Sequence, residues 1–150
     1  MKLKVFFKDL FDYSLAHDRK LIALFKEHPE NLKAKAGELF DHVLNAHHIW
    51  NQRMLGKERH FGVWERHVAE ALERIATENY NDSLKILETA DLDANLNYQD
   101  TKGNSFQNTV QEVLFHVVNH GTYHRGQIAL EFRNSGVDPM ISDYIYYKRN

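Results

Sequence analysis

The sequence predicts an all-α protein, one domain over residues 1–150, in which four long helices pack as a four-helix bundle with a short irregular or hairpin segment before the last. Three observations point there. Apolar residues recur at helical spacing through four separate stretches. Only two prolines interrupt the chain. A 43% hydrophobic content over 150 residues is enough for one sizeable core.

The first helix runs from Leu3 to His28, with Val5, Phe6, Leu10, Tyr13, Leu21, Leu24 and Phe25 as its apolar stripe. It stops at His28-Pro29, because the residue before a proline is pushed out of helical geometry. The second spans Asn31 to about Leu55 and ends on Gly56. Residues 56–63, with Gly56 and Gly62, form a connection. The third helix is expected from about Trp64 to Thr89, with Val68, Leu72, Ile75, Leu84, Ile86 and Leu87 as core candidates. Asn79 to Asp82 is weak helix chemistry that could bend it. Between Asp91 and Gln107 the pattern breaks, and Leu96 to Gln99 and Asn104 to Gln107 flank Lys102-Gly103 as a short hairpin would, with Phe106 as the first residue of the last helix being the alternative. Thr109-Val110-Gln111-Glu112 has capping-box spacing and starts the last helix. In the tail, alternation at Tyr144 and Tyr146 suggests either an extended segment packed on the bundle or a simple aromatic tail.

Composition narrows the function. The net charge is −2 with no cationic cluster, which argues against a nucleic-acid partner. No apolar run reaches transmembrane length, and Met1-Lys2-Leu3-Lys4 opens an amphipathic helix rather than a secretion signal. Without cysteine there are no disulfides, thiolate ligands or Cys nucleophile, which fits the cytoplasm; any metal must be held by nitrogen and oxygen.

The densest chemistry lies between His116 and Gln127, H-V-V-N-H-G-T-Y-H-R-G-Q, where three histidines are spaced four apart. On a helical wheel with His120 at the origin, the apolar residues from Val110 to Phe132 cover an arc from about 20° to 160°. His124 lies inside that arc at about 40°, His120 on its edge, and His116 outside it at about −40°. His120 and His124 are therefore the inward pair, either hydrogen-bonded in the core or bound to a cation. A third ligand must come from Asp41 to Trp50. With His42 at the origin the apolar stripe falls between about 40° and 120°, His47 near 140° and His48 near 240°. His48 is then solvated, while His42 and His47 flank the stripe and remain equivalent. His17, His28, His60 and His67 have no paired spacing and are read as surface or boundary residues. Gln127 at about −20° and Glu131 at about 20° are placed to steady the ligands. Asp41 and Asn45 are read as solvated helix residues, Arg125 as an interhelical ion-pair partner, and Gly126 as an aid to close helix packing.

The segment from His116 to Ile128, together with His42-Val43-Leu44-Asn45-Ala46 followed by Trp50, resembles the signatures of the DinB family within the DinB/YfiT-like metalloenzymes. Tyr98 and Gly103 before the last helix, and Pro139 with Asp143-Tyr144-Ile145 at the end, extend the resemblance over nearly the whole chain. It implies a four-helix bundle, often a homodimer, with a divalent metal held by His42, His120 and His124, which separates His42 from His47. Nickel and zinc suit imidazole best, with iron or manganese as alternatives. Three ligands leave open coordination, so the expected activity is that of a hydrolase or thiol S-transferase on a small molecule, possibly a thiol. No general base or nucleophile is identifiable, since Gly121 follows His120 where an H-E-x-x-H protease has Glu. The alternative is a non-catalytic metal-binding or stress-response dimer acting as an interaction module.

Overall fold

The computed structural model describes residues 2–149 and is predominantly α-helical with one small two-stranded sheet. The elements in order are α1 (Lys2–Glu27), α2 (Pro29–Lys33), α3 (Lys35–Leu55), a 3-10 turn (Ala69–Ala71), α4 (Leu72–Thr89), β1 (Asn95–Gln99), β2 (Ser105–Thr109), α5 (Val110–Asn134) and α6 (Tyr144–Arg149). Helix α3 packs against α5 and α4, and α1 against α4 and α5. One apolar cluster gathers Phe25, Phe40, Ile75 and Phe132, and a second gathers Phe7, Phe11, Ile86 and Leu114.

Local chemistry sets the boundaries. Pro29 starts α2, and the chain then breaks at Ala34, so the expected second helix is two helices. Gly37 makes the break compact: a Cβ there would lie 1.7 Å from the Leu32 carbonyl oxygen. Gly56, left-handed at φ 68°, closes α3. The hairpin forms as expected, pairing Tyr98 with Phe106, so Phe106 belongs to β2 and not to a helix. The capping box holds: Thr109 Oγ1 accepts from Glu112 N, and Glu112 Oε2 accepts from Thr109 N at 2.9 Å.

Three expectations fail for physical reasons. The third long helix starts at Leu72, not Trp64, and Val68 is 68% exposed. The backbone before Leu72 is bound by polar side chains of α3, which compete with helix formation. Helix α4 runs unbroken through Asn79, which is buried and donates to the Leu44 carbonyl at 3.0 Å, tying α4 to α3. The tail is helical from Tyr144, not extended. One turn of helix brings Tyr144, Tyr147 and Lys148 to one side. There Tyr144 and Lys148 bond Asp9 at 2.5 and 2.6 Å, and Tyr147 packs on Tyr13 and His17. His17 is accordingly buried, where the sequence suggested a surface or boundary position.

Arg125 is buried and faces Asp18 of α1 at 4.0 Å, the interhelical pair that sequence suggested. Burial pushes the Asp18 carboxyl up to about 7, with Arg125 opposing the rise and Glu73 adding to it. The glycine that makes room is Gly121, where a Cβ would sit 3.1 Å from Arg125 Nη1. Among the described residues nothing lies within 4 Å of a Cβ built on Gly126, so this glycine does not serve close packing there.

Gly37→Ala is therefore expected to destabilise by at least about 1–3 kcal/mol in urea denaturation, because a backbone carbonyl must move. Gly126→Ala is expected to be neutral or to stabilise by up to about 1 kcal/mol through helix propensity. Because the Asp18 pKa is higher folded than unfolded, its contribution to stability is complete below about pH 4 and is lost as pH rises through 7. The stability difference between wild type and Asp18→Asn should fall over that window by up to roughly 4 kcal/mol. A flat difference in denaturation at pH 4 to 8 would refute this account of the pair.

Candidate metal centre

Packing of α3 on α5 brings three side chains from distant parts of the chain together. One ligand atom from each of His42, His120 and His124 lies within 4.8 Å of the others. His42 Nε2 is 3.1 Å from His120 Nε2, and the His120 and His124 ring centroids are 4.4 Å apart. Two nitrogens each about 2.1 Å from one ion, at tetrahedral or octahedral angles, lie about 3.0–3.4 Å apart. The His42–His120 spacing fits that requirement.

The far side of two rings is fixed. His42 Nδ1 donates to the Val63 carbonyl at 3.1 Å, which leaves its Nε2 bare toward His120. His124 Nδ1 donates to Gln127 Oε1 at 2.7 Å, one helical turn on. Partners of this kind hold metal-binding imidazoles in one tautomer and orientation. The other expected helper, Glu131, makes no side-chain hydrogen bond to the cluster among the described residues. Burial pushes His42 below the usual imidazole range and pushes His120 down to about 3, where the neighbouring imidazoles add to it. Both rings are neutral near pH 7, the form that can bind a cation.

The remaining histidines serve other ends. His47 is not in the group: its Nε2 meets Ser83 Oγ at 2.7 Å, inside a buried network in which Ser83 donates to Asn51. His116 is exposed and packs edge-on to Trp50. His48 is buried, not solvated, and accepts from His60 N at 2.9 Å.

Asp41 and Asn45 are also buried, against the solvated role read for them. Asn45 Nδ2 donates to the carbonyls of Val63 (3.4 Å) and Glu65 (2.8 Å), and its Oδ1 meets His67 Nε2 at 2.6 Å. Asp41 accepts from Arg66 Nε at 2.6 Å and from His67 N at 3.3 Å. Burial raises the Asp41 pKa, with Arg66 opposing. The segment between α3 and the 3-10 turn is thus bound down along α3, and it lays Trp64 flat on His42 at 3.9 Å and 9°. Sequence reasoning missed Val63 and Trp64. Their only signal was a tryptophan close to a glycine-marked connection.

A cavity of about 370 Å³ opens beside His42 and His120, walled by Trp50, Tyr98 and Phe106 and edged by Arg53 and Arg59.

With this geometry in place, relatives can be considered. A sequence model of the DinB family matches residues 10–150. The chain belongs to the DinB family. It is also similar to Protein DinB of Bacillus subtilis (strain 168), 44% identical over 52 residues. That match covers 35% of this chain and 30% of the relative, so the similarity spans less than a third of the relative's length. No solved structure gives a significant match. No helix among the described residues is long and apolar enough to cross a membrane.

Removing the amide that pins the segment tests the coupling between loop and site. Asn45→Ala is expected to cost about 1–3 kcal/mol of stability and to speed amide exchange over residues 57–68. Unchanged exchange there would show that Asp41 and His48 hold the segment without it.

Proposed function

We propose that this DinB family member is a metal-dependent enzyme in which His42, His120 and His124 hold one divalent ion, nickel or zinc before iron or manganese. The observation that carries this reading is the convergence of three imidazoles with only three protein ligands, next to a cavity. Closed structural zinc sites use four protein ligands, so a three-ligand site favours chemistry over scaffolding. The four long helices support the family's four-helix bundle as the frame. Exposed Phe6 on α1 and Phe115, Tyr123 and Leu130 on α5 support a homodimer. A cytoplasmic location and a small-molecule substrate, possibly a thiol, complete the proposal.

The ion, when bound, would supply Lewis acidity and at least one open position, which suits hydrolase or thiol S-transferase chemistry. The chain's own residues do the rest. Val63 and Gln127 keep the imidazoles turned inward, and Trp64 covers one face of His42 against water. The apolar faces of Trp50, Tyr98 and Phe106 line the approach. No carboxylate joins the three-histidine group among the described residues, so the substrate or water must itself be the nucleophile. That absence is also what favours the second reading, a non-catalytic metal-binding module.

Metal content by mass spectrometry tests the site. Close to one equivalent is expected in wild type, His47→Ala and His116→Ala, and loss in His42→Ala, His120→Ala and His124→Ala. Protein that cannot be loaded, or variants of the three that keep their metal, would overturn the reading. Cobalt-loaded protein that develops a thiolate absorption band with 2-mercaptoethanol would favour the enzyme over the closed module.

A further inference from the structure

The cavity has a polarity of its own. Its lining follows α3 from His42, which meets His120, through Trp50, which meets the Tyr98–Phe106 pair, to Arg53, whose charge feels that of Arg59. Arg53 is held in place: its guanidinium lies 4.5 Å from the Trp50 ring and 5.2 Å from the Tyr98 ring, and Nη2 donates to the Gln99 carbonyl at 2.9 Å. A guanidinium carries five N–H donors, so most of its fork remains available. Neither Arg53 nor Arg59 forms an ion pair among the described residues. The one carboxylate lining the cavity, Asp100, is engaged by Lys102 N, Asn104 N and Asn104 Nδ2 in its own turn. An adjoining cleft of about 270 Å³ shares Arg53, Arg59 and Asp100 and adds Lys57, so positive charge continues outward. Burial lowers the Arg53 pKa, a sign that the charge sits where water solvates it incompletely.

We propose that the cavity selects a small carboxylate with a flat apolar body, its carboxylate on Arg53 and Arg59 and its body against the wall that Trp50, Tyr98 and Phe106 form together. The planar fork of a guanidinium matches a carboxylate two bonds at a time, and a partly dehydrated arginine gains most from such a partner. The aromatic walls accept a flat ring by offset or edge-on stacking. A molecule lying this way presents its far end to His42 and His120. That last point rests on the metal-centre reading above; recognition of the carboxylate does not. Cationic molecules are rejected by the same arginines, and neutral analogues leave the fork unpaired.

The probes are 3-phenylpropanoate and its neutral amide, 3-phenylpropanamide. They are titrated into as-purified and chelator-treated protein by calorimetry and by intrinsic fluorescence. Both tryptophans of the chain, Trp50 and Trp64, flank the site, so fluorescence reports on it directly. In the chelator-treated protein no ion can capture the carboxylate, and the double Arg→Gln variant separates the arginines from the nearby Lys57 as the source of any preference for the acid. The acid is expected to bind about tenfold tighter than the amide, equivalent to about 1.4 kcal/mol. Arg53→Gln and Arg59→Gln should each erode that preference, and Arg59→Lys should keep much of it, with circular dichroism confirming the fold. Equal binding of acid and amide, or a preference that survives in the double Arg→Gln variant, would overturn the proposal. A preference that appears only in metal-loaded protein would do the same, because the carboxylate would then be on the ion. Failure of the metal reading looks different: no metal by mass spectrometry, with the acid preference intact.

Discussion

Three imidazoles turned toward one another are a liability until something occupies the space between them. His42 and His120 bring their Nε2 atoms to 3.1 Å, and burial keeps both rings neutral. His42 has given its one proton to the Val63 carbonyl, so its inward nitrogen is a bare acceptor. At most one inward proton can be shared across each close pair, as between His120 Nε2 and His42 Nε2, and the same spacing suits a shared cation. The packing of α3 on α5 is what creates this situation. It also determines where the cavity opens and which side of α3 must be covered.

That covering explains much of the rest. Asp41, His42, Asn45 and His48 recur at three- and four-residue spacing and make a polar stripe along α3. In an isolated helix they would face water. Here the backbone of residues 60–67 lies over them and bonds each of the four side chains, with Asp41 Oδ1 alone left without a partner among the described residues. Buried polar groups of this kind stay favourable only while every partner is present. The segment therefore holds its shape without regular secondary structure, and its Trp64 is delivered to the face of a ligand ring.

Helix α1 supports the site from behind. Arg125, adjacent to His124, is drawn to Asp18 of α1 and stacks 5.3 Å from the Tyr13 ring, while Tyr13 and His17 in turn receive the tail helix. The tail, α1 and the ligand helix thus form one chain of contacts. The buried pair between Asp18 and Arg125 is not a strong source of stability in itself, since Asp18 Oδ1 and Arg125 Nε lack hydrogen-bond partners among the described residues. Its value lies in fixing how α5 rotates relative to α1, and with that the direction in which His124 points.

What the sequence by itself determined was periodic or local. The four helical stripes, the stop at Pro29, the hairpin around Gly103 and the Thr109–Glu112 cap all follow from a few consecutive residues. So did the inward aim of His120 and His124, which share one helix and one wheel. Periodicity left His42 and His47 equivalent, and only family resemblance separated them. Their difference rests on what faces each: Val63, Trp64 and His120 for one, Ser83 and Phe11 for the other. The same limit hid the buried roles of Asp41, Asn45, His48 and His17, because a wheel records which way a side chain points and not what lies there. The late start of α4, the helical tail and the pairing of arginines with aromatic rings in the cavity were decided by tertiary structure. Each depends on a hydrogen bond or a stack between groups far apart in the chain, whose energy no local pattern contains.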